Sequence, residues 1–220
     1  FRKTMFGDGN VDFSRVTFGD GGVYFNNAKF GDGNVLFIRA TFGRGAVSFN
    51  GTSFGNGNLS FYRANFSMGD IQFIGSEFGS GDLDLSNTII DGDLTFLGVE
   101  NIERLKTFSL ASAKVDGYIQ LTKLHFGCVP DCRGLKHDRA LELGDISVIC
   151  PTAREYIDEQ QITHKLRKLK DLLLQAKANS KALEFHALEM RAKRKSEWSW
   201  LLIPDWSFDK ISNYGRELKK

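Results

Sequence analysis

The chain is poor in proline and cysteine, with three of each, against nineteen phenylalanines and twenty-three glycines in 220 residues. Cys128, Cys132 and Cys150 are odd in number and lack framework spacing. They are expected as reduced thiols in a reducing compartment. The glycines follow no Gly-x-y period, which excludes a collagen-like rod, and regularly placed Phe argues against disorder. Long apolar runs are missing too. The longest near the C-terminus, Trp198 to Ile203, is too short to span a bilayer. No signal peptide is recognisable, and a chain opening on Phe1 reads as an excised fragment. Neither sign of charge dominates, since the formal net charge is +2. The charge is unevenly divided: residues 1–100 hold 7 Lys and Arg against 11 Asp and Glu (−4), and residues 101–220 hold 22 against 16 (+6). That asymmetry suggests two domains with different surfaces.

Catalytic signatures are lacking. No Ser/His/Asp or Cys/His set occurs with supporting motifs, so neither a reaction nor a cofactor is expected. His164 and His186 fall in helical segments and read as surface or seam residues.

What the chain has in abundance is a repeat. Phe18, Phe30, Phe42, Phe54, Phe66 and Phe78 lie twelve residues apart. Phe13, Phe25, Phe37, Phe49, Phe61, Phe73 and Leu85 share that period, as do Val11, Val23, Val35, Val47, Leu59, Ile71 and Leu83. A fixed period marks a solenoid. Apolar residues come in i, i+2 pairs, such as Val11 with Phe13 and Ala28 with Phe30, which places both on one face of a short extended segment. Phe-to-Phe steps alternate between five and seven residues, and a Gly-x-Gly element takes up the longer step as a wide corner. Glycine there is expected to serve positive φ or close backbone approach.

A longer period lies beneath. Phe-Gly-Asp-Gly-Asn begins at Phe6 and Phe30, with variants at Phe54 and Phe78, all 24 apart. Arg15, Arg39 and Arg63 also recur at 24, while the half-period positions hold Asn27, Gly51 and Gly75. Stacked neighbours share an environment, so the coil is expected to contain about 24 residues with four facets. Residues 6–96 then give about four coils, with a column of stacked rings. Later copies are weaker: Ile90–Phe96 loses one residue, Asn101–Lys106 is an insert, and Val115–Leu121 and Ala140–Val148 are further copies.

This pattern resembles the pentapeptide-repeat family, on Ala28-Lys29-Phe30, Ala40-Thr41-Phe42 and Ala64-Asn65-Phe66. The resemblance implies a mainly β, right-handed, four-sided β-helix. The seven-residue step departs from the family's uniform five. Residues 1–150 are assigned to this solenoid, irregular after 100.

Residues 151–220 form the second assigned unit. Ile162, Leu166, Leu169, Leu173 and Ala176 make an apolar seam at 4-3-4-3 spacing. Asn179-Ser180 is expected as a break and N-cap, and Ala182, Phe185, Leu188 and Ala192 as a second helix ending near Arg194-Lys195. Together they predict a helical hairpin closing the C-terminal end of the solenoid. Leu166-Arg167-Lys168-Leu169-Lys170, Phe185-His186-Ala187-Leu188-Glu189-Met190 and Asn213-Tyr214-Gly215-Arg216 are together similar to the segment after the repeats in a group of bacterial membrane-associated proteins, where transmembrane helices, often of ion-channel type, follow. That similarity implies the cytosolic face of the inner membrane and a membrane domain beyond Lys220. Trp198, Trp200, Trp206 and Phe208, beside Lys and Arg, suit a bilayer interface, or packing onto the hairpin or a partner chain.

Two side-chain sets are candidate sites. Cys128, Cys132 and His137, with His125 and Cys150 nearby, are the metal-type residues. Their spacing is permissible for zinc, but small thiols in an irregular loop are the preferred reading. Arg15, Arg39 and Arg63 would stack as a ladder able to hold an anion or an acidic partner. The Gly-x-Gly corners precede no helix and the Asp-x-Gly corners lack a closing Glu, against phosphate and EF-hand loops. The expected function is a non-enzymatic scaffold or regulatory domain acting by protein or ligand binding, with homo-oligomers compatible with it. A DNA-mimicking topoisomerase inhibitor is the alternative. It needs a strongly negative surface, which −4 over residues 1–100 fits poorly, and direct nucleic-acid binding is not expected.

Overall fold

A computed structural model describes residues 1–149 and 159–197. The first of these segments winds into a parallel β-solenoid of about six turns. Val11 lies opposite Val35, Val35 opposite Leu59 and Leu59 opposite Leu83, so neighbouring coils are offset by 24 residues. Each coil has four short facets. The first joins Met5, Lys29, Ser53, Glu77 and Glu100 by single bridges, and resumes where His125–Phe126 pairs with Ser147–Val148. The second stacks Val11–Asp12, Val35–Leu36, Leu59–Ser60, Asp82–Asp84 and Thr107–Ser109. The third begins at the Thr17–Thr41 bridge and continues through Asn65–Phe66, Ile89–Ile90, Lys114–Val115 and Lys136–His137. The fourth runs from Val23–Tyr24 through Val47–Ser48, Ile71–Gln72, Leu94–Phe96 and Ile119–Leu121 to Leu141–Glu142.

The inward apolar pairs build four columns of rings, not one. Phe6, Phe30, Phe54 and Phe78 form the first, and Phe13, Phe37 and Phe61 the second. Phe18, Phe42 and Phe66 form the third, and Phe25, Phe49, Phe73 and Phe96 the fourth. Within a column, centroids lie 4.5–5.4 Å apart and rings are within 14° of parallel. Across columns the contacts turn edge-on, as at Phe49–Phe61 (5.5 Å, 73°). The strand ladder sets the first spacing, and the coil's narrow bore sets the second. Burying each ring stabilises by roughly 1.5–3 kcal/mol. Below Phe96 the columns become largely aliphatic through Leu110, Val115, Ile119, Leu121 and Leu141.

The expected irregularities appear at the expected places. The insert is a 3-10 turn, Ile102–Arg104, with Ile102 buried beneath it. The corner after Ile90 is one residue shorter than the corner after Phe66.

Helix α1 spans Glu159–Gln175 and α2 spans Asn179–Glu197, and the two form a hairpin. Leu166, Leu169 and Leu173 are buried as the seam predicts. Thr163 and Leu172 widen it, while Ile162 and Ala176 are half-buried. The break is not at Asn179-Ser180, where α2 already begins. It lies at Ala176–Ala178, with Lys177 left-handed at φ 58°. There Ala178 N–H donates to Leu173 C=O (2.9 Å) and Lys177 N–H to Leu174 C=O (3.0 Å), a Schellman closure made without glycine. α2 also continues past Lys195 to Glu197. Leu169 and Leu172 of α1 sit over Phe108, Leu121, Phe126 and Leu141 around a cavity of about 10 Å³, so the hairpin closes the C-terminal end of the core.

Candidate interaction surface

Two of the four corners are tight turns whose second residue is left-handed. Between the second and third facets these residues are Arg15 (φ 61°), Arg39 (57°), Arg63 (58°), Asn87 (57°), Ser112 (56°) and Gly134 (71°). Between the fourth and first facets they include Asn27, Gly51, Gly75 and Gly98. The turn at Arg39 is closed by Ala40 N–H to Phe37 C=O (3.1 Å), and that at Arg63 by Ala64 N–H to Phe61 C=O (2.8 Å). A side chain two residues before the turn pair often supports it: Asp12 Oδ1 accepts from Ser14 N–H (2.7 Å) and Asp84 Oδ1 from Ser86 N–H (2.8 Å).

The three arginines also donate their backbone N–H to the next coil, Arg15 to Ile38, Arg39 to Tyr62 and Arg63 to Ser86, at 2.8–3.1 Å. The structure therefore stacks the three arginines one coil apart along a single edge, as the 24-residue period predicts. All three are exposed, and among the described residues none is in a salt bridge. The Arg63 guanidinium lies 5.1 Å above the Tyr62 ring. A line of guanidinium groups on a convex edge can hold an extended anion by charge-assisted hydrogen bonds.

The wide corners are built differently. Gly31, Gly33, Gly55, Gly57, Gly79 and Gly81 are not left-handed; a Cβ on any of them would collide with the coil below. At Gly57 the obstacle is the Gly33 carbonyl. Close backbone approach, not positive φ, is the reason for glycine here. The polar residues between them form ladders. Asn10, Asn34 and Asn58 each accept from a backbone N–H one coil on, at 2.8–2.9 Å. Asp32 Oδ1 likewise takes Asn56 N–H, and Asp93 Oδ1 takes Tyr118 N–H. These groups are engaged in stacking.

The sulfur and imidazole candidates do not converge. Among the described residues no cluster of three His, Cys, Asp or Glu could hold a metal ion. His125 Nδ1 pairs with Ser147 Oγ (2.8 Å). His137 meets Arg139 C=O through Nδ1 and Gln175 Oε1 of α1 through Nε2 (3.1 and 3.0 Å). Burial pushes the Cys128 thiol up to about 11 and that of fully buried Cys132 to about 12. A zinc ligand needs the thiolate, which such burial opposes. Cys150 lies outside the described residues, as do Trp198, Trp200, Trp206 and Phe208. No described helix is long and apolar enough to cross a membrane.

Two charged clusters were not singled out from the sequence. Buried Asp131 holds Arg133 through two bonds (2.9 and 2.6 Å) and faces Lys165 of α1 at 3.7 Å. Buried Glu189 of α2 receives Arg167 Nε (2.7 Å) and Lys170 Nζ (2.8 Å) from α1. The first ties the hairpin to the last coils; the second ties its helices together. Only the i, i+2 spacing of Asp131 and Arg133 gave a local signal. Glu189 has none, because its partners are 19 and 22 residues away.

No protein-family model matches the chain, and no curated protein matches it.

Proposed function

We propose that this chain is a non-enzymatic binding rod. It is the pentapeptide-repeat-like, cytosolic-side part of a bacterial membrane-associated protein, and its channel-type or other membrane domain lies beyond Lys220. The solenoid is the rigid stalk, the hairpin its cap, and residues 198–220 the approach to the bilayer. One observation carries the binding-rod reading. Apolar side chains fill the interior in register, with Phe25, Phe37, Phe49, Phe61 and Phe73 at 0% exposure, so ligands meet only edges and facets. Several wide-corner amides and carboxylates serve neighbouring coils, and the tight-turn arginines are among the exposed groups left to a partner. The membrane part of the reading rests on Trp198, Trp200, Trp206 and Phe208 among Lys and Arg. A topoisomerase-directed DNA mimic has less support, because it requires a strongly negative rod and this one exposes an arginine column.

Vesicle flotation tests the reading. The chain should float with phosphatidylglycerol–phosphatidylethanolamine vesicles. A variant with Trp198, Trp200, Trp206 and Phe208 all changed to Ala should stay at the bottom with an unchanged circular dichroism spectrum. Equal behaviour of the two proteins would remove the membrane assignment.

A further inference from the structure

The arginine column is placed against local preference. The opposite tight turns reach the same φ with Gly51 (65°), Gly75 (62°) and Gly98 (59°) in successive coils, where no side chain opposes it, although Lys3, Asn27, Lys123 and Asp145 adopt it in the other coils. Arginine at φ 57–61° is disfavoured by its Cβ, and it recurs in three successive coils. At Arg39 and Arg63 the charge has no acidic outward neighbour in the same coil. The outward neighbours of Arg39 and Arg63 are Leu36 and Ser60 on one side and Thr41 and Asn65 on the other, all uncharged; Arg15 has Thr17 on one side and the carboxylate of Asp12 on the other. Asp84 lies one coil beyond Arg63, and Asp12 and Asp84 each have one oxygen held by a turn N–H.

We propose that Arg15, Arg39 and Arg63 form the docking edge for an acidic α-helix of a partner protein, with carboxylates at i, i+4 and i+7. This deepens the binding-rod reading and rests on it. The shape excludes small anions as the fitted ligand, because a convex corner presents a line and cannot surround a phosphate. The spacing selects the helix. Coils repeat at about 4.8 Å, so the outer arginines are about 9.6 Å apart along the axis. Two helical turns advance about 10.8 Å, a mismatch near 1 Å that flexible Arg side chains absorb. An extended peptide showing three side chains on one face advances about 13 Å, which does not fit. Ile38 and Tyr62, next to Arg39 and Arg63, are half-buried and offer apolar contact beside the charges; the Tyr62 ring also orients Arg63.

The test uses the full chain and fluorescence anisotropy at low salt with four probes. They are a helical peptide with glutamates at i, i+4 and i+7, a peptide of the same composition with glutamates spread around the helix, a version with those glutamates changed to lysine, and oligothymidylate. The first peptide should bind at least about tenfold more tightly than the second, and the lysine version should not bind. The Arg15→Gly/Arg39→Gly/Arg63→Gly protein should lose at least about tenfold in affinity for the first peptide while melting no lower than wild type, since glycine suits these turns. Arg39→Gly alone gives the same comparison should the triple variant not fold. Equal binding of the first two peptides, or unchanged binding by the glycine variants, overturns the proposal. So does tighter binding of oligothymidylate, which would make the edge a nucleic-acid site. Flotation reads residues 198–208, so the two proposals fail separately.

Discussion

Gly57 and Gly75 need the same residue for different reasons. A Cβ at Gly57 would enter the Gly33 carbonyl, whereas Gly75 has open space but φ +62°. Gly57→Ala should therefore cost roughly 3 kcal/mol or more, through displaced backbone, and Gly75→Ala only about 1–2 kcal/mol. Chemical denaturation of the two variants checks the order; a reversal would contradict the stacking geometry. The thiols make a second prediction at this scale. With Cys132 buried and its pKa near 12, and Cys128 near 11, native protein at pH 8 should leave both largely unalkylated by iodoacetamide, with full labelling after unfolding, as mapped by mass spectrometry. The Phe positions were legible in the sequence because their period is visible. The conformation of Arg39 was not, because a residue three coils share can be left-handed or extended, and only the turn bond from Ala40 to Phe37 decides it. The glycine pairs were legible as corners, but the choice between φ and close approach needed the neighbouring coil.

Each element borrows its stability from the next. A strand of two residues, such as Leu59–Ser60, cannot persist without the coils on both sides. Phe61 sits 5.0 Å from Phe37 above and edge-on to Phe49, with no exposed surface. Phe61→Ala should cost about 3–5 kcal/mol and weaken neighbouring coils as well. The hairpin responds to acid. Burial would raise the Glu189 carboxyl, but Lys170 and Arg167 hold it below its usual 4.5; Arg133 and Lys165 likewise outweigh burial at Asp131, below 3.8. Depressed carboxylate pKa values stabilise the fold above the unfolded values and lose that contribution as pH falls through the folded ones. The thermal midpoint should thus drop below about pH 4.5, and Glu189→Gln should flatten part of that drop while costing roughly 1–2 kcal/mol at neutral pH. A midpoint equally pH-dependent in the variant would contradict the role given to Glu189. The hairpin was legible from its seam, but its turn was misplaced by about two residues because Lys177, not glycine, closes α1.

At the scale of the molecule, the repeat is architecture and the chemistry is at its margins. Phenylalanine fills the bore, glycine and asparagine make the wide corners, and α1 covers the last coil. Among the described residues, what remains outward includes an arginine edge on three coils and a basic cap. All of these assignments depend on coils stacking at 24 residues. A twelve-residue stack would mix Arg15 with Asn27 and dissolve the edge. Through-hydrogen-bond scalar coupling in deuterated protein measures that register directly. Coupling should appear between the Phe37 amide nitrogen and the Ser60 carbonyl carbon, and between Val47 nitrogen and Asp70 carbonyl carbon, across bonds of 2.8 and 2.7 Å. Coupling of Phe37 to Ser48 instead, at half that separation, would contradict the stacking and with it the arginine column.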